Sequence, residues 1–254
     1  MKLAHYKIFI TASIVTLLLI LAKYLLHRFG LEVIVLGSLH SSAISGIIFV
    51  IGFILSATIA DYKEAERIPA EIASTVENIH DDISAIHQNY PKFDKQKYFN
   101  QLKKTTAALA GDLRNSRSHR ARRELTALNN LSIELENAGV PANFIVKIKQ
   151  QTAGLSRHLS RVNYIQRISF MPSATILAWS IVVLGATLLL FTEIEPFVGG
   201  MVLTAVVTFI MAYVLLLIRV ISTPFHDAGK TKDDVSLFLF DRALDRFNEE
   251  AEKK

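Results

Sequence analysis

The sequence of 254 residues contains no cysteine and no glycine-rich phosphate-binding loop. Disulfide bonds, thiol catalysis and cysteine-ligated metal sites are therefore excluded. The eight histidines are scattered, and none is followed four residues later by another, which is the spacing that chelates a metal ion on one helix face. We therefore do not expect an enzyme, and we expect no cofactor and no metal site.

Charged residues are also scarce. They make up 20% of the chain, against 51% hydrophobic residues and a mean hydropathy of +0.33, which is too apolar for an ordinary soluble domain and typical of a small multi-span membrane protein. The net charge of +5 comes without a zinc-finger spacing, a basic zipper or a recognition-helix pattern. We therefore expect no nucleic-acid partner, and the composition indicates the lipid bilayer as a partner instead.

Four stretches are apolar enough to cross a bilayer, which takes about 20 residues of helix. The first stretch is followed by Lys23-Tyr24-Leu25-Leu26 where a small-residue cleavage site would stand, so it is predicted to be a retained span and not a signal peptide. We predict an all-α polytopic membrane protein with four transmembrane helices. The predicted spans are residues 8–26, 43–60, 169–191 and 201–218.

A polar insert, residues 61–168, separates the second span from the third and carries 17 Lys and Arg against 12 Asp and Glu. Its apolar residues recur at helical spacing, which predicts helical hairpins that pack together in the manner of a coiled coil. The predicted organisation is a transmembrane hairpin (1–60), a cytoplasmic helical bundle (61–168), a second transmembrane hairpin (169–220) and a cytoplasmic tail with an amphipathic helix (221–254).

The second span continues directly into the insert. Pro69 is the only helix breaker there, and it predicts a kink or the first turn of a second helix. For His80 and His87, on the same rod, we expect surface positions. Apolar residues at steps of three and four predict one buried stripe, formed by Ile72, Val76, Ile79, Ile83 and Ile86.

Lysine and arginine near the span ends set the orientation of a membrane protein. Two lysines before the first span, the basic insert and Arg219 favour one side, whereas the 192–200 loop has two glutamates and no base. Lys23 and Arg28 count against this assignment. We predict that both termini and the insert lie in the cytoplasm, with the spans in the plasma (inner) membrane.

No charged residue lies within the cores of spans two to four, which disfavours an ion-coupled transporter. In an oligomer, one apolar face of the second span would line a narrow constriction that gates by dewetting. Ile47, Ile51 and Ile54 recur at helical spacing, and so do Phe49 and Phe53. For each of these positions, packing or contact with lipid is the alternative role.

Glu193 and Glu195 stand in the short loop between the third and fourth spans. Repeated around a symmetry axis, they would form an acidic ring that attracts cations. As a plain loop they only assist topology, and we favour the plain loop.

Two segments resemble the bestrophin family of pentameric anion channels and their bacterial relatives. The second span runs into Asp61-Tyr62-Lys63-Glu64-Ala65-Glu66-Arg67, which is similar to the family's second span and the EAR-like helix after it. Beyond the last span, Thr223-Pro224-Phe225 followed by Asp233 and Asp234 resembles the family's PF element and its downstream acidic residues. Gly229, Lys230 and Lys232 dilute the calcium clasp of the animal members, so the bacterial members are the closer comparison.

The resemblance implies a homo-oligomer, a pentamer as in the family, that conducts small anions through a pore lined by the second span. Our chosen pore residues are Ile47, Ile51, Phe53 and Ile54. One alternative is a cation channel with an acidic ring at Glu193 and Glu195. The other is a membrane-anchored helical scaffold or sensor that conducts nothing.

Overall fold

The computed structural model describes residues 6–35, 37–114, 119–167, 172–225 and 235–252. The predicted all-α architecture is confirmed, since the described residues form nine helices and only two strands of two residues each. In chain order these are α1 (Lys7–Arg28), β1 (Ile34–Val35), α2 (Ser38–Asn89), α3 (Lys95–Arg114), α4 (His119–Asn130), α5 (Ser132–Asn137), α6 (Ala142–Arg167), α7 (Pro172–Phe191), β2 (Thr192–Glu193), α8 (Phe197–Ile221) and α9 (Phe238–Glu252).

The chain divides into two compact units, the first built mainly from Met1–Tyr62 and Ser169–Thr223 and the second mainly from Lys63–Ile168 and the tail. The first unit holds α1, the start of α2, α7 and α8. These are the four helices of the described chain that are long and apolar enough to cross a membrane, so the four-span prediction is confirmed. The chain is an integral membrane protein.

Two prolines set helix starts in the first unit. Pro172 is the first residue of α7, where its missing N–H is harmless, and Pro196 immediately precedes α8. α1 packs along α8, and α7 packs on both. The four-residue ladder between β1 and β2 was not predicted: Ile34 pairs with Thr192 and Val35 with Glu193, in parallel. It joins the link after α1 to the loop after α7.

The second unit buries the stripe predicted on α2. Ile72, Val76, Ile79, Ile83 and Ile86 are all at most 5% exposed. α2 continues through Pro69 without ending, so Pro69 does not begin a second helix. The apolar positions of α3, α4 and α6 join the same core, which includes Leu102, Leu109, Leu125, Leu128, Ile148, Leu155 and Leu159.

The surface position expected for His80 is wrong. Its side chain is 3% exposed, and its ring stacks on the rings of Phe99 at 4.1 Å and Phe247 at 4.9 Å. Nδ1 lies 3.4 Å from a carboxylate oxygen of Asp81. An imidazole ring can stack between two aromatic rings while its nitrogen contacts a carboxylate. The pattern of charges along the helix does not predict this kind of burial. His87 is half-buried and meets Phe93 edge-on.

Ion pairs link α2 to α6 at the surface of the second unit. Arg161 donates two hydrogen bonds to the Glu64 carboxylate, at 2.9 and 2.8 Å, and Lys147 donates to Asp82 at 2.7 Å. The hydrogen bond from Arg161, with the charges of Arg161 and Arg67, holds the pKa of Glu64 below its ordinary value despite partial burial. Both side chains of this pair are nearly half exposed, so the pair contributes at most about 1 kcal/mol.

Replacing Arg161 by glutamine tests this contribution. Because the folded-state pKa of Glu64 is depressed, the pair stabilises the fold above the unfolded pKa of about 4.3 and stops doing so as the pH falls through the folded pKa. We expect the R161Q variant to unfold about 2 °C lower than the parent at pH 7, with the difference shrinking below pH 4. Thermal unfolding of the detergent-solubilised protein measures this. An equal difference at both pH values would show that Arg161 acts through packing.

Candidate functional site

α2 has a buried and an open face within the first unit. Ile51 and Ile54 are 3% and 6% exposed and pack with Met211 and Leu215 of α8 and Ala178 of α7. Ile47 is half-buried against the same cluster. These side chains therefore fill the space between three helices of one chain.

The opposite face of α2 is open. Phe49 and Phe53, one helical turn apart, are 74% and 70% exposed. Their neighbours on this face are small or hydroxylated residues, all exposed: Ser42, Ser45, Gly46, Gly52, Ser56 and Ala60. The exposed residues of α1 and α8 have a different character, because they are mostly large aliphatic side chains such as Leu17, Leu18, Leu21, Val202 and Val206. α1 and α8 thus present surfaces suited to lipid, and α2 presents a mixed surface.

The predicted pore residues thus fall on two faces. Phe53 lies on the open face, whereas Ile51 and Ile54 lie in the core and Ile47 points towards it. Of the four predicted residues, Phe53 is therefore the one that is open on a single copy of the chain, and Phe49 shares its face.

The acidic loop is exposed. Glu193 lies in β2 and Glu195 two residues on, and neither side chain is buried. In the tail motif, Pro224 and Phe225 are buried in the second unit, with Phe225 6% exposed. The Pro224 carbonyl accepts a hydrogen bond from the Val235 N–H at 3.0 Å. Asp233 and Asp234 lie outside the described residues.

One buried lysine connects the end of α1 with the end of α7. The sequence interpretation used this residue only to judge the orientation of the protein in the membrane. Lys23 of α1 is 1% exposed. Its ammonium pairs with the Glu32 carboxylate and donates to the carbonyl oxygens of Thr192 and, at 3.3 Å, Leu190. Since an uncompensated buried charge costs several kcal/mol, removal of one partner from such a pair destabilises a protein by about 3–5 kcal/mol.

Glu32 is held from two sides. Its side chain is 6% exposed, and its second carboxylate oxygen lies 2.6 Å from Nδ1 of His27, whose ring stacks on Phe197 at 3.8 Å. Burial raises the pKa of Glu32, but hydrogen bonds from Lys23 and His27, with their charges, outweigh burial and hold this pKa below its ordinary value. Glu32 is therefore an ionised partner of Lys23 near neutral pH.

The sequence did contain a signal for this pair. Glu32 is the only acidic residue among residues 1–60, and Lys23 stands inside the last two turns of an apolar helix. A charged side chain in such a span needs a partner, and one carboxylate is within reach along the chain. The contribution of Thr192 had no such signal, because it depends on a backbone carbonyl.

The described residues contain no group of three or more histidines and acidic residues placed to hold a metal ion. Exposed side-chain hydroxyls of the spans include those of Ser42, Ser45 and Ser56 on α2 and those of Ser180 and Thr187 on α7.

Comparison with known proteins identifies the fold. No family model and no curated protein matches the sequence. Two crystal structures of a bacterial bestrophin homologue from Klebsiella pneumoniae match with TM-scores of 0.77 and 0.80 at 14% identity, covering 96% and 94% of this chain and 97% of theirs. A crystal structure described as that of a membrane protein matches with a TM-score of 0.81 at 14% identity, covering 95% of this chain and 98% of its own. The resemblance seen in the sequence is therefore confirmed at the level of fold: this chain is a four-span membrane protein with the bestrophin-like fold.

Proposed function

We propose that this protein is an oligomeric ion channel that conducts small anions, with the open face of α2 lining the pore. Phe49 and Phe53 form its apolar constriction. Copies of the chain surround a common axis, as a pentamer by likeness to the bestrophins, and the termini and the second unit lie in the cytoplasm. The spans lie in the plasma (inner) membrane.

The contrast between the exposed faces of the spans carries this proposal. Lipid tails offer no hydrogen-bonding partners, so a lipid-facing helix does not benefit from a row of serines and glycines. The open face of α2 has this row, and the open faces of α1 and α8 are largely aliphatic. The open face of α2 is therefore suited to contact with water or with a neighbouring copy of the chain. A helix that lines a pore on a symmetry axis contacts both.

The chemistry of this face suits anions better than cations. Between Ser42 and Ala60 α2 has no carboxylate. The Ser42 hydroxyl donates to the Ser38 carbonyl at 2.9 Å, and the hydroxyls of Ser45 and Ser56 can donate hydrogen bonds to an anion. The edge of an aromatic ring carries partial positive charge, so rings that present their edges to a pore favour negative ions. Weakly hydrated anions also lose their water at an apolar constriction more readily than small cations do.

A cation channel is the second candidate, because Glu193 and Glu195 are both exposed at the loop end of the spans. A ring of such side chains would concentrate cations at the mouth of a pore. This candidate requires the two glutamates to determine which ions pass, whereas the anion proposal assigns that role to α2.

Flux from liposomes tests the two candidates. The purified protein is reconstituted, and chloride and potassium fluxes are measured beside those of the double variant Glu193→Gln, Glu195→Gln. We expect chloride flux that exceeds potassium flux in both proteins. Potassium flux that the double variant abolishes would support the cation channel instead. Absence of both fluxes from a well-folded oligomer would contradict both and favour the scaffold.

A further inference from the structure

The Lys23 ammonium meets acceptors from two other segments of the first unit. Glu32 belongs to the link between α1 and α2, and Leu190 and Thr192 belong to the end of α7 and to β2. The carbonyls at a helix C-terminus lack partners within the helix and carry partial negative charge, so a lysine there is favourable. Lys23 thus ties the end of α1 to the end of α7.

A second contact continues from Thr192 to α2. The Thr192 hydroxyl donates its proton to the Leu188 carbonyl at 2.6 Å, and so it accepts from a ring N–H of His40, whose Nε2 lies 3.1 Å away. His40 is in the first turn of α2 and is 7% exposed. The residues that follow it, Ser41, Ser42 and Ala43, are all exposed. The His40 side chain is therefore an anchor for the first turn of α2.

From these contacts we infer that Lys23 is a positioning residue: through Thr192 and His40 it fixes the first turn of α2, and with it the direction in which Ser42 and Ser45 face. The inference extends the proposed function, because those serines lie on the face assigned to the pore. A buried ion pair adds little net stability compared with an apolar pair of the same shape, so the role that we infer for this one is to fix geometry. Here the geometry that it fixes is the start of the proposed pore helix.

Replacing Thr192 by valine tests the contact between Thr192 and His40 without removing any charge. The variant keeps the carbonyl that Lys23 binds and loses only the hydroxyl that His40 contacts. A net hydrogen bond of ordinary strength corresponds to about a fivefold change in an equilibrium, so we expect the frayed population of the first turn of α2 to rise about fivefold. A spin label on Ser42→Cys, in a chain with no native cysteine, reports this as increased mobility. A label on Ser56→Cys, four turns further along, is the matched control and should not change.

The charged pair is tested by neutralising both partners. Lys23→Met alone leaves the Glu32 carboxylate buried without its lysine, and we expect it to reduce the yield of folded protein. Lys23→Met with Glu32→Gln removes both charges, so we expect a folded protein whose label at position 42 is as mobile as in T192V. Glu32→Gln alone leaves the Lys23 ammonium without its carboxylate, so we expect this variant to lower the yield as well. It keeps the bonds from Lys23 to Thr192 and Leu190, so in the protein that folds the label should stay as immobile as in the parent.

The label measurement does not depend on conduction, so the two proposals can fail separately. Increased label mobility at position 42 in T192V, together with a parent protein that conducts no ions, would leave the positioning role intact and reject the channel. If the parent conducts, T192V should also change the relative permeability to chloride and larger anions about twofold or more, by the same loss of one hydrogen bond. Parent-like mobility and permeability in both T192V and the charge-neutral double variant would overturn the inference and leave Lys23 a purely structural residue.

Discussion

Replacing Phe53 by alanine is expected to raise chloride flux about tenfold, which corresponds to a barrier about 1.4 kcal/mol lower. Phe53 is 70% exposed on one copy and lies one turn from Phe49. Shortening its side chain widens the apolar stretch of the proposed pore, so that water wets it and an ion sheds less of its hydration shell. The measurement is the rate of chloride efflux from liposomes, normalised to the amount of folded oligomer.

Ile51 is the matched control, two residues away on the opposite face. It is 3% exposed among Ile54, Met211 and Leu215, so Ile51→Ala leaves a cavity inside one chain. Substitutions of this kind cost about 2–5 kcal/mol. We expect this variant to unfold at a lower temperature than the parent while its remaining folded channels conduct at the parental rate.

The opposite pair of results would reject the assignment of faces. In that case Ile51→Ala would alter the flux per folded oligomer and Phe53→Ala would alter neither flux nor permeability. The face of α2 that carries Ile51, which is buried within one chain, would then have to line the pore in the assembly. Replacing Ile51 by arginine is a poorer test, because it would bury a charge in the core and abolish folding before any pore could be examined.

The sequence could predict that the second span is important but could not choose its face. The two faces of this span differ only between large aliphatic side chains and small or hydroxylated ones, a weaker contrast than the one that identifies the buried side of a soluble helix. The isoleucine and phenylalanine rows also both recur at helical spacing. The choice depends on packing with distant residues. Ile47 lies near Gly185 of α7, and Ile51 and Ile54 meet α8, contacts made more than a hundred residues further along the chain.

The second unit was easier to predict, because water surrounds it. There the isoleucine stripe of α2 stands out against charged neighbours, and every member of the predicted stripe is buried. His80 was misassigned, since its burial depends on Phe99 and Phe247 from two other helices. Tertiary partners of this kind also explain why the role of Thr192 was missed, whereas Lys23 and Glu32 were at least visible as lone charges in an apolar region.

Replacing Gly200 by alanine is expected to lower the stability of the protein more than adding a single methyl group at any other glycine of the spans. Gly200 is in the first turn of α8, and a Cβ there would lie 2.8 Å from Cβ of Ile194 and 2.9 Å from its carbonyl oxygen. The backbone between β2 and α8 would have to move, because no rotation of a side chain relieves a contact with a carbonyl. We expect a cost of about 1–3 kcal/mol, or roughly 2–12 °C in the unfolding midpoint.

Gly185 is the matched control for this substitution, since it is also a buried helical glycine of the spans. A Cβ there would lie 2.6 Å from Cε of Met211 and 3.0 Å from Cδ1 of Ile47. Both atoms are the ends of flexible side chains, which can rotate away, so we expect Gly185→Ala to lower the unfolding midpoint by less than Gly200→Ala. Because Gly200 packs on the segment that carries Thr192, a displaced loop in G200A should also mobilise a spin label at position 42. A large loss of stability without that mobilisation would show that the loop can shift while the Thr192 contact to His40 persists, and the anchor of α2 would then be independent of the start of α8.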